Sequence, residues 1–147
     1  MVGPHASRAA TESVCAVVVT HNRRDLLRRC LAALAEQQRP VDEVLVVDTA
    51  STDDTSAMVR TEHPGVQLLR LEENVGGAGG FHRGLAWAHA RGHDWLWLMD
   101  DDTFTLPDTL ATLLEGGARA PGGARPSSGR PGSRARGNRP DRASRAR

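Results

Sequence analysis

The sequence predicts an α/β fold, in which a mainly parallel sheet carries helices on both of its faces. Four short apolar runs alternate with segments whose apolar residues recur at the three- and four-residue spacing of a helix. Strands that alternate with helices form parallel sheets, because each helix returns the chain to the end of the sheet where the next strand begins. The 147 residues suffice for one domain with a modest core.

The predicted elements lie within residues 13–115, which we treat as one domain. The strands are residues 14–19, 44–47, 66–71 and 95–99, and the helices are residues 26–38, 55–62, 81–90 and 107–114. Because parallel strands share one direction, their ends at Thr20, Asp48 and Asp100 are expected along a single rim of the sheet. Open α/β sheets bind their ligands at this rim.

The last predicted strand runs directly into three carboxylates, Asp100, Asp101 and Asp102. Its apolar run, residues 95–99, is typical of a strand that is buried on both faces. In extended backbone Asp100 and Asp102 point to the same side, an arrangement that suits a hard divalent cation such as Mg²⁺ or Mn²⁺. A solvated acidic turn, or a helix N-cap before Pro107, accounts for the same residues without a ligand.

The two parts of the chain differ in charge and composition. Residues 1–115 contain ten Arg and seventeen acidic residues, whereas residues 116–147 contain nine Arg and one Asp. The second segment has no aliphatic residue larger than Ala, so we predict a disordered tail. An Arg-rich tail can bind nucleic acid or an acidic membrane surface. We instead interpret it as an out-of-frame translation of GC-rich coding sequence, or as a decayed end, and expect no nucleic-acid partner.

Four polar or glycine-rich motifs follow one another between the predicted strands and helices. They are residues 20–23 (Thr-His-Asn-Arg), residues 47–55, residues 74–81 (Asn-Val-Gly-Gly-Ala-Gly-Gly-Phe) and residues 99–102 (Met-Asp-Asp-Asp). In this order they resemble the N-terminal half of family-2 glycosyltransferases of the GT-A fold, a Rossmann-like half that binds a nucleotide-diphospho-sugar. The glycine-rich motif and the triple Asp are most similar to bacterial galactofuranosyl- and rhamnosyltransferases. The resemblance covers residues 14–114.

The resemblance implies a nucleotide-diphospho-sugar site with a divalent ion, Mn²⁺ or Mg²⁺, held by Asp100 and Asp102. The implied donor-binding residues are Thr20, His21, Asn22, Asp48, Asn74, Gly76, Gly77, Gly79, Gly80, Arg83 and Asp101. Asp48 would accept a hydrogen bond from the uracil or the ribose, and the ion would stabilise charge on the departing diphosphate. Plainer roles stay open: a capping or turn aspartate at Asp48, an aspartate that braces the turn at Asp101, a loop histidine, an exposed helical arginine, and glycines that let a helix pack tightly on a strand.

The family's general base, which deprotonates the acceptor hydroxyl, lies beyond the metal motif, and residues 116–147 contain no counterpart. The chain therefore resembles the donor-binding half of a truncated inverting transferase, with catalytic residues unknown. The resemblance implies transfer from a UDP-sugar such as UDP-galactofuranose to a cell-envelope glycan or lipid-linked acceptor. We expect a cytoplasmic location, with peripheral association at the inner membrane face as one option. The alternative is an inactive nucleotide-binding fragment.

Two other enzyme classes fit the sequence less well. A haloacid-dehalogenase-type phosphatase also has Asp-x-Asp after an apolar strand, but Phe104 stands where that class has Thr. Dinucleotide binding requires Gly-x-Gly-x-x-Gly directly after a strand, and His82 occupies the third glycine position. The sequence also contains no run of eighteen apolar residues that would span a membrane, and residues 1–12 lack the apolar centre of a signal peptide.

Overall fold

The computed structural model describes residues 12–117. Four strands alternate with four helices along this segment. In chain order the elements are β1 (Val14–Thr20), α1 (Arg24–Ala35), β2 (Glu43–Thr49), α2 (Thr55–Glu62), β3 (Gln67–Leu71), α3 (Gly76–Ala90), β4 (Trp95–Asp100) and α4 (Thr109–Gly117). The strands form one sheet in the order β3-β2-β1-β4, and all three neighbouring pairs are parallel. The predicted fold class is confirmed.

Helices cover both faces of the sheet. On one face the apolar sides of α1 and α2, including Leu27 and Val59, pack against Val18 and Val46 of the central strands. On the other face α3 packs against the alternate residues of the same strands, because successive side chains of a strand point to opposite sides. β1 is fully covered, and its seven residues are all buried.

The acidic strand is less buried than its sequence predicts. β4 lies at one edge of the sheet, and Trp95 and Leu98 are 40% and 41% exposed. An edge strand has a neighbour on one side only, so it receives less cover from the helices than a central strand does. The expectation of a strand buried on both faces, taken from its uninterrupted apolar run, was wrong for β4, whereas it holds for β1.

Two boundaries also differ from the prediction. The glycine-rich motif is helical from Gly76 onward, whereas we predicted a loop as far as residue 80. The last helix begins at Thr109, not at Pro107, and it ends at Gly117. Residues 116 and 117, assigned from sequence to the tail, therefore belong to α4. The predicted disorder of the rest of the tail concerns residues 118–147, which lie outside the described part of the chain.

Candidate donor-binding cleft

The ends of the central strands meet at one rim, as the sequence predicts. Thr20 is level with Asp48 on the neighbouring strand, and Val19 is level with Asp100 on the other side. The rim carries a cleft of about 320 Å³. Its lining consists of Val19, Thr20, His21, Arg23, Thr49, Asn74, Gly76, Gly77, Asp100 and Asp101. Residues from four separate segments of the chain thus converge on one space.

The three acidic residues have different environments. Asp101 is 3% exposed, and its carboxylate accepts a hydrogen bond from Thr20 Oγ1 at 2.7 Å. Asp100 and Asp102 are exposed, and within residues 12–117 no side chain donates to the carboxylate of Asp100. Arg23 Nη1 lies 3.3 Å from Asp101 Oδ1 and 3.4 Å from Asp102 Oδ2. Asp101 is therefore fixed by the protein, while the two outer acids remain accessible.

The backbone at the acidic residues corrects one premise of the sequence analysis. β4 ends at Asp100, and the chain then turns, with Thr103 N donating to Asp100 O at 3.1 Å. Asp100 and Asp102 consequently do not alternate along an extended strand. Their donor set still fits a hard divalent ion, because both supply exposed carboxylate oxygens and Asp100 lines the cleft. The assignment of Asp100 and Asp102 as metal ligands stays a prediction.

Asp48 is buried and is not among the cleft-lining residues, so the contact with a uracil or ribose that we assigned to it stays a prediction. The residue is 0% exposed, and its oxygens accept hydrogen bonds from Ser51 N at 2.8 Å, from Ser56 Oγ and from Arg70 Nη1 at 3.3 Å. The carboxylate of Asp48 thus receives three donors from the protein itself, and it is buried away from the cleft lining. Asp48 instead anchors the loop after β2 and the start of α2, and Thr49 is the β2 residue that lines the cleft.

The loop after β1 is held by its own polar side chains. His21 Nδ1 donates to Thr49 O at 2.7 Å, since a carbonyl oxygen only accepts. Asn22 has φ of 51°, and its Oδ1 accepts a hydrogen bond from Thr52 N at 2.7 Å. The amide of Asn22 therefore braces two loops against each other rather than facing the cleft, whose lining does not include it. His21 and Thr20 are lining residues, as predicted.

The five glycines of α3 divide into two groups. Gly76 has φ of +69°, its N–H donates to Asn74 Oδ1 at 3.0 Å, and it lines the cleft together with Gly77. A Cβ at Gly80 would lie 2.6 Å from Val19 Cγ1, so this glycine serves the close packing of α3 on the sheet. Gly79 lies against Val75 within the first turns of the helix. Neither Gly79 nor Gly80 lines the cleft, and their contact with the donor stays a prediction.

Arg83 and Arg23 differ in their relation to the cleft. Arg83 is exposed on α3 and is not part of the cleft lining, so the predicted contact with a diphosphate has no support in this structure. Arg23 lines the cleft, is 53% exposed and contacts two of the acidic residues. No sequence pattern indicates this contact, apart from the position of Arg23 in the loop between β1 and α1.

A second, larger groove of about 540 Å³, which we call the outer groove, lies beside the cleft. It is formed by the beginnings of α1 and α2 and the loops before them, and its acidic residues, Asp25, Asp53 and Asp54, stand away from the strand ends. Arg24 pairs with Asp25 at 3.2 Å and with Asp54 at 3.6 Å. We place the functional site in the smaller cleft, because only this cleft contains the strand-end residues and the start of α3.

The opposite end of the sheet carries a polar cluster of a different kind. Cys15, Glu43 and His93 bring their sulfur, oxygen and nitrogen atoms within 4.8 Å of one another. Arg91 Nη2 already lies 2.8 Å from Glu43 Oε1, and His93 Nε2 lies 2.7 Å from Oε2. Burial raises the pKa of Glu43, but hydrogen bonds from Arg91 and His93 outweigh it and leave the pKa below its usual range. The cluster is thus an ion pair that joins the starts of β2 and β4.

Both cysteine thiols are protonated at neutral pH. Burial, with the neighbouring Glu43, raises the pKa of Cys15 to about 11. Burial, with Asp101 and Asp102, raises the pKa of Cys30 to about 12. Both residues are free and fully buried, so they contribute to packing as small apolar groups. None of the helices within residues 12–117 is long and apolar enough to cross a membrane.

The family model described as "Glycosyl transferase family 2" matches residues 15–127. The chain belongs to glycosyl transferase family 2. Within this family it is 45% identical over 105 residues to the galactofuranosyltransferase GlfT1 of Mycolicibacterium smegmatis, over 71% of this chain and 35% of that protein. The family-2 chain spans about a third of the length of the curated relatives that it matches. The predicted family is confirmed.

Solved structures with the same fold include two proteins in complex with a nucleotide or a nucleotide-sugar. TarS of S. aureus, in a crystal structure with UDP, has a TM-score of 0.62 and 27% identity, over 70% of this chain and 31% of that chain. The mannosyltransferase PcManGT of Pyrobaculum calidifontis, in complex with GDP-Man and Mn²⁺, has a TM-score of 0.55 and 33% identity, over 69% of this chain and 32% of that chain.

Proposed function

We propose that this family-2 chain is the donor-binding half of an inverting glycosyltransferase that binds a nucleotide-diphospho-sugar together with a divalent ion. The observation that carries this proposal is the convergence of Thr20, Thr49, Gly76 and Asp100 on one cleft at the carboxyl ends of parallel strands. TarS, which is structurally similar, has been solved in complex with UDP, and this supports a nucleotide donor. PcManGT has been solved in complex with GDP-Man and Mn²⁺, and this supports a nucleotide donor together with a metal.

The cleft offers suitable groups for each part of such a donor. The amides at the start of α3, beside Gly76 and Gly77, are favourable for the negative charge of a diphosphate. Asp100 and Asp102 would hold the ion, which neutralises the charge that develops on the departing diphosphate. Thr20 and Thr49 line the part of the cleft beside β1 and β2, where we place the nucleoside of the donor.

The donor that we propose is a UDP-sugar, with galactofuranose as the sugar, and Mn²⁺ or Mg²⁺ as the ion. The similarity to a galactofuranosyltransferase over 71% of the chain supports the sugar, and the UDP complex of TarS supports the nucleotide. We propose a cell-envelope glycan or a lipid-linked glycan as the acceptor in the full-length enzymes. A lipid-linked acceptor would bring the protein to the inner face of the membrane as a peripheral protein.

A nucleotide-binding fragment without catalysis is the second candidate. Transfer requires a base that removes the proton of the acceptor hydroxyl, and no residue of the cleft lining matches such a base by resemblance. The chain also spans only 35% of the length of GlfT1. Under this alternative the cleft binds UDP in the presence of the ion, but incubation with UDP-galactofuranose releases no UDP.

Calorimetric titration of the 147-residue chain with UDP, with and without Mn²⁺, tests the binding step. We expect binding that depends on Mn²⁺ and that weakens at least about tenfold in Asp100→Asn, because the ion loses a charged ligand. Asp108→Asn is the matched control, since Asp108 is exposed and lies outside the cleft lining. UDP binding that is the same with and without Mn²⁺, or no binding at all, would contradict the proposal. Release of UDP from UDP-galactofuranose then separates the two candidates.

A further inference from the structure

Arg23 lies beside the acidic residues of the proposed metal site, and its position suggests that it affects metal binding there. Arg23 is the residue directly before α1, and it borders both the cleft and the outer groove. A single nitrogen, Nη1, approaches Asp101 Oδ1 at 3.3 Å and Asp102 Oδ2 at 3.4 Å. The guanidinium therefore neutralises part of the charge of the three consecutive acids.

The distances indicate a loose contact that can be exchanged. A charge-assisted hydrogen bond between a guanidinium and a carboxylate is usually about 2.7–2.9 Å long, and the strongest pairs use two nitrogens. Here one nitrogen is shared between two carboxylates at longer range, and the Arg23 side chain is 53% exposed. An ion pair that is exposed to solvent in this way is weak, because water screens the attraction between the charges. A divalent ion with direct oxygen ligation can therefore displace it from Asp102.

The carboxylates of Asp101 and Asp102 differ in the contacts that they keep when the Arg23 guanidinium moves away. Asp101 is 3% exposed and keeps the hydrogen bond from Thr20 Oγ1. The side chain of Asp102 is 56% exposed, and Arg23 is the side chain that contacts it within the described residues 12–117. Asp102 is thus the carboxylate that can exchange a protein cation for a bound one, whereas Asp101 holds the turn in place during the exchange.

We propose that Arg23 is a displaceable counter-ion, which occupies Asp102 in the metal-free protein and releases it to the divalent ion while staying beside Asp101. This inference rests on the proposed function, since it takes Asp102 as a metal ligand. Arg23 then lowers the affinity for the ion in the free protein and prevents the three acids from repelling one another before the ion arrives. Metal binding becomes a competition between two cations for one carboxylate.

Titration with Mn²⁺ alone, followed by calorimetry and by the electron paramagnetic resonance signal of free Mn²⁺, tests the proposal on the full chain. We expect Arg23→Gln to bind Mn²⁺ about three- to tenfold more tightly than the wild type, because both the competition and the repulsion between cations are removed. Arg24→Gln is the control. It removes the same charge from the neighbouring residue, whose partners Asp25 and Asp54 line the outer groove.

The outcomes distinguish this inference from the proposed function. Equal Mn²⁺ affinity in the wild type and Arg23→Gln, or equal tightening in Arg23→Gln and Arg24→Gln, overturns the role of Arg23 and leaves the metal site intact. Absence of Mn²⁺ binding in all three proteins overturns the metal site and the inference together. Asp102→Asn must weaken Mn²⁺ binding, and circular dichroism of each variant confirms that the helices are retained.

Discussion

The close packing of α3 on the sheet predicts that Gly84→Ala destabilises the fold. A Cβ at Gly84 would lie 2.5 Å from Val17 Cγ1 and 3.0 Å from Val47 Cγ2. Both valines are 0% exposed on the two central strands, and a β-branched side chain has little freedom to rotate away. Ordinary carbon–carbon separations of about 3.5–4 Å are regained only if the helix moves outward by about 1 Å.

The expected magnitude follows from two opposing terms. Replacing Gly by Ala inside a helix gains about 1 kcal/mol, whereas forcing an extra methyl into a packed core costs about 1–3 kcal/mol. Gly84→Ala should therefore lower the free energy of unfolding by up to about 2 kcal/mol. Gly77→Ala is the matched control on the same helix, because no atom lies within 4 Å of the added Cβ. It should gain up to about 1 kcal/mol.

Urea denaturation followed by tryptophan fluorescence measures both variants, since Trp87 lies on α3. The two free energies of unfolding should differ by about 1–3 kcal/mol, with Gly84→Ala the less stable protein. If Gly84→Ala is as stable as Gly77→Ala, the helix does not lie as close to β1 and β2 as described, and the assignment of Gly80 and Gly84 to packing fails with it.

Two further predictions concern buried charge. Asp48→Ala should lower the free energy of unfolding by about 1.5–3 kcal/mol, because the donors that face the carboxylate lose a charged acceptor. Arg70→Gln should cost less than about 1 kcal/mol, because Arg70 is 45% exposed; equal costs in urea denaturation would contradict the structural role of Asp48. Glu43 has a lowered pKa in the folded state, so its stabilising contribution is present above its unfolded pKa of about 4.3 and is lost as the pH falls through the lower folded value. Thermal unfolding between pH 6 and pH 3 should therefore be less pH-dependent in Glu43→Gln than in the wild type; parallel curves would argue against the ion pair with Arg91.

The sequence predicted the sheet and the position of the site because both depend on simple periodicities. Apolar runs and helical spacing give the order of the elements, and parallel strands necessarily bring Thr20 and Asp100 to the same rim. The orientation of individual side chains could not be predicted in the same way. Asp48 and Thr49 are adjacent at the end of β2, and only the three-dimensional structure shows which of them is tied into the protein and which lines the cleft.

The prediction of a loop at the glycine-rich motif failed for a different reason. Glycine has a low helix propensity, so four glycines within five residues favour a loop from sequence alone. In the structure the absence of side chains lets α3 approach β1 and β2, and this tertiary packing outweighs the local preference. The edge position of β4 was likewise beyond the sequence, since an apolar run does not indicate how many neighbours a strand has.

The close seating of α3 has a practical consequence for anyone who interprets variants of this protein. The helix α3 begins at the cleft with Gly76 and packs on the sheet at Gly84, two turns further along. A bulky residue introduced between α3 and the sheet would tilt or lift the end of α3 that lies at the cleft. The gap between this end of the helix and the acidic turn after β4 would then widen. Loss of nucleotide affinity in such a variant would report a displaced backbone rather than a missing contact, so affinity and fold stability have to be measured side by side.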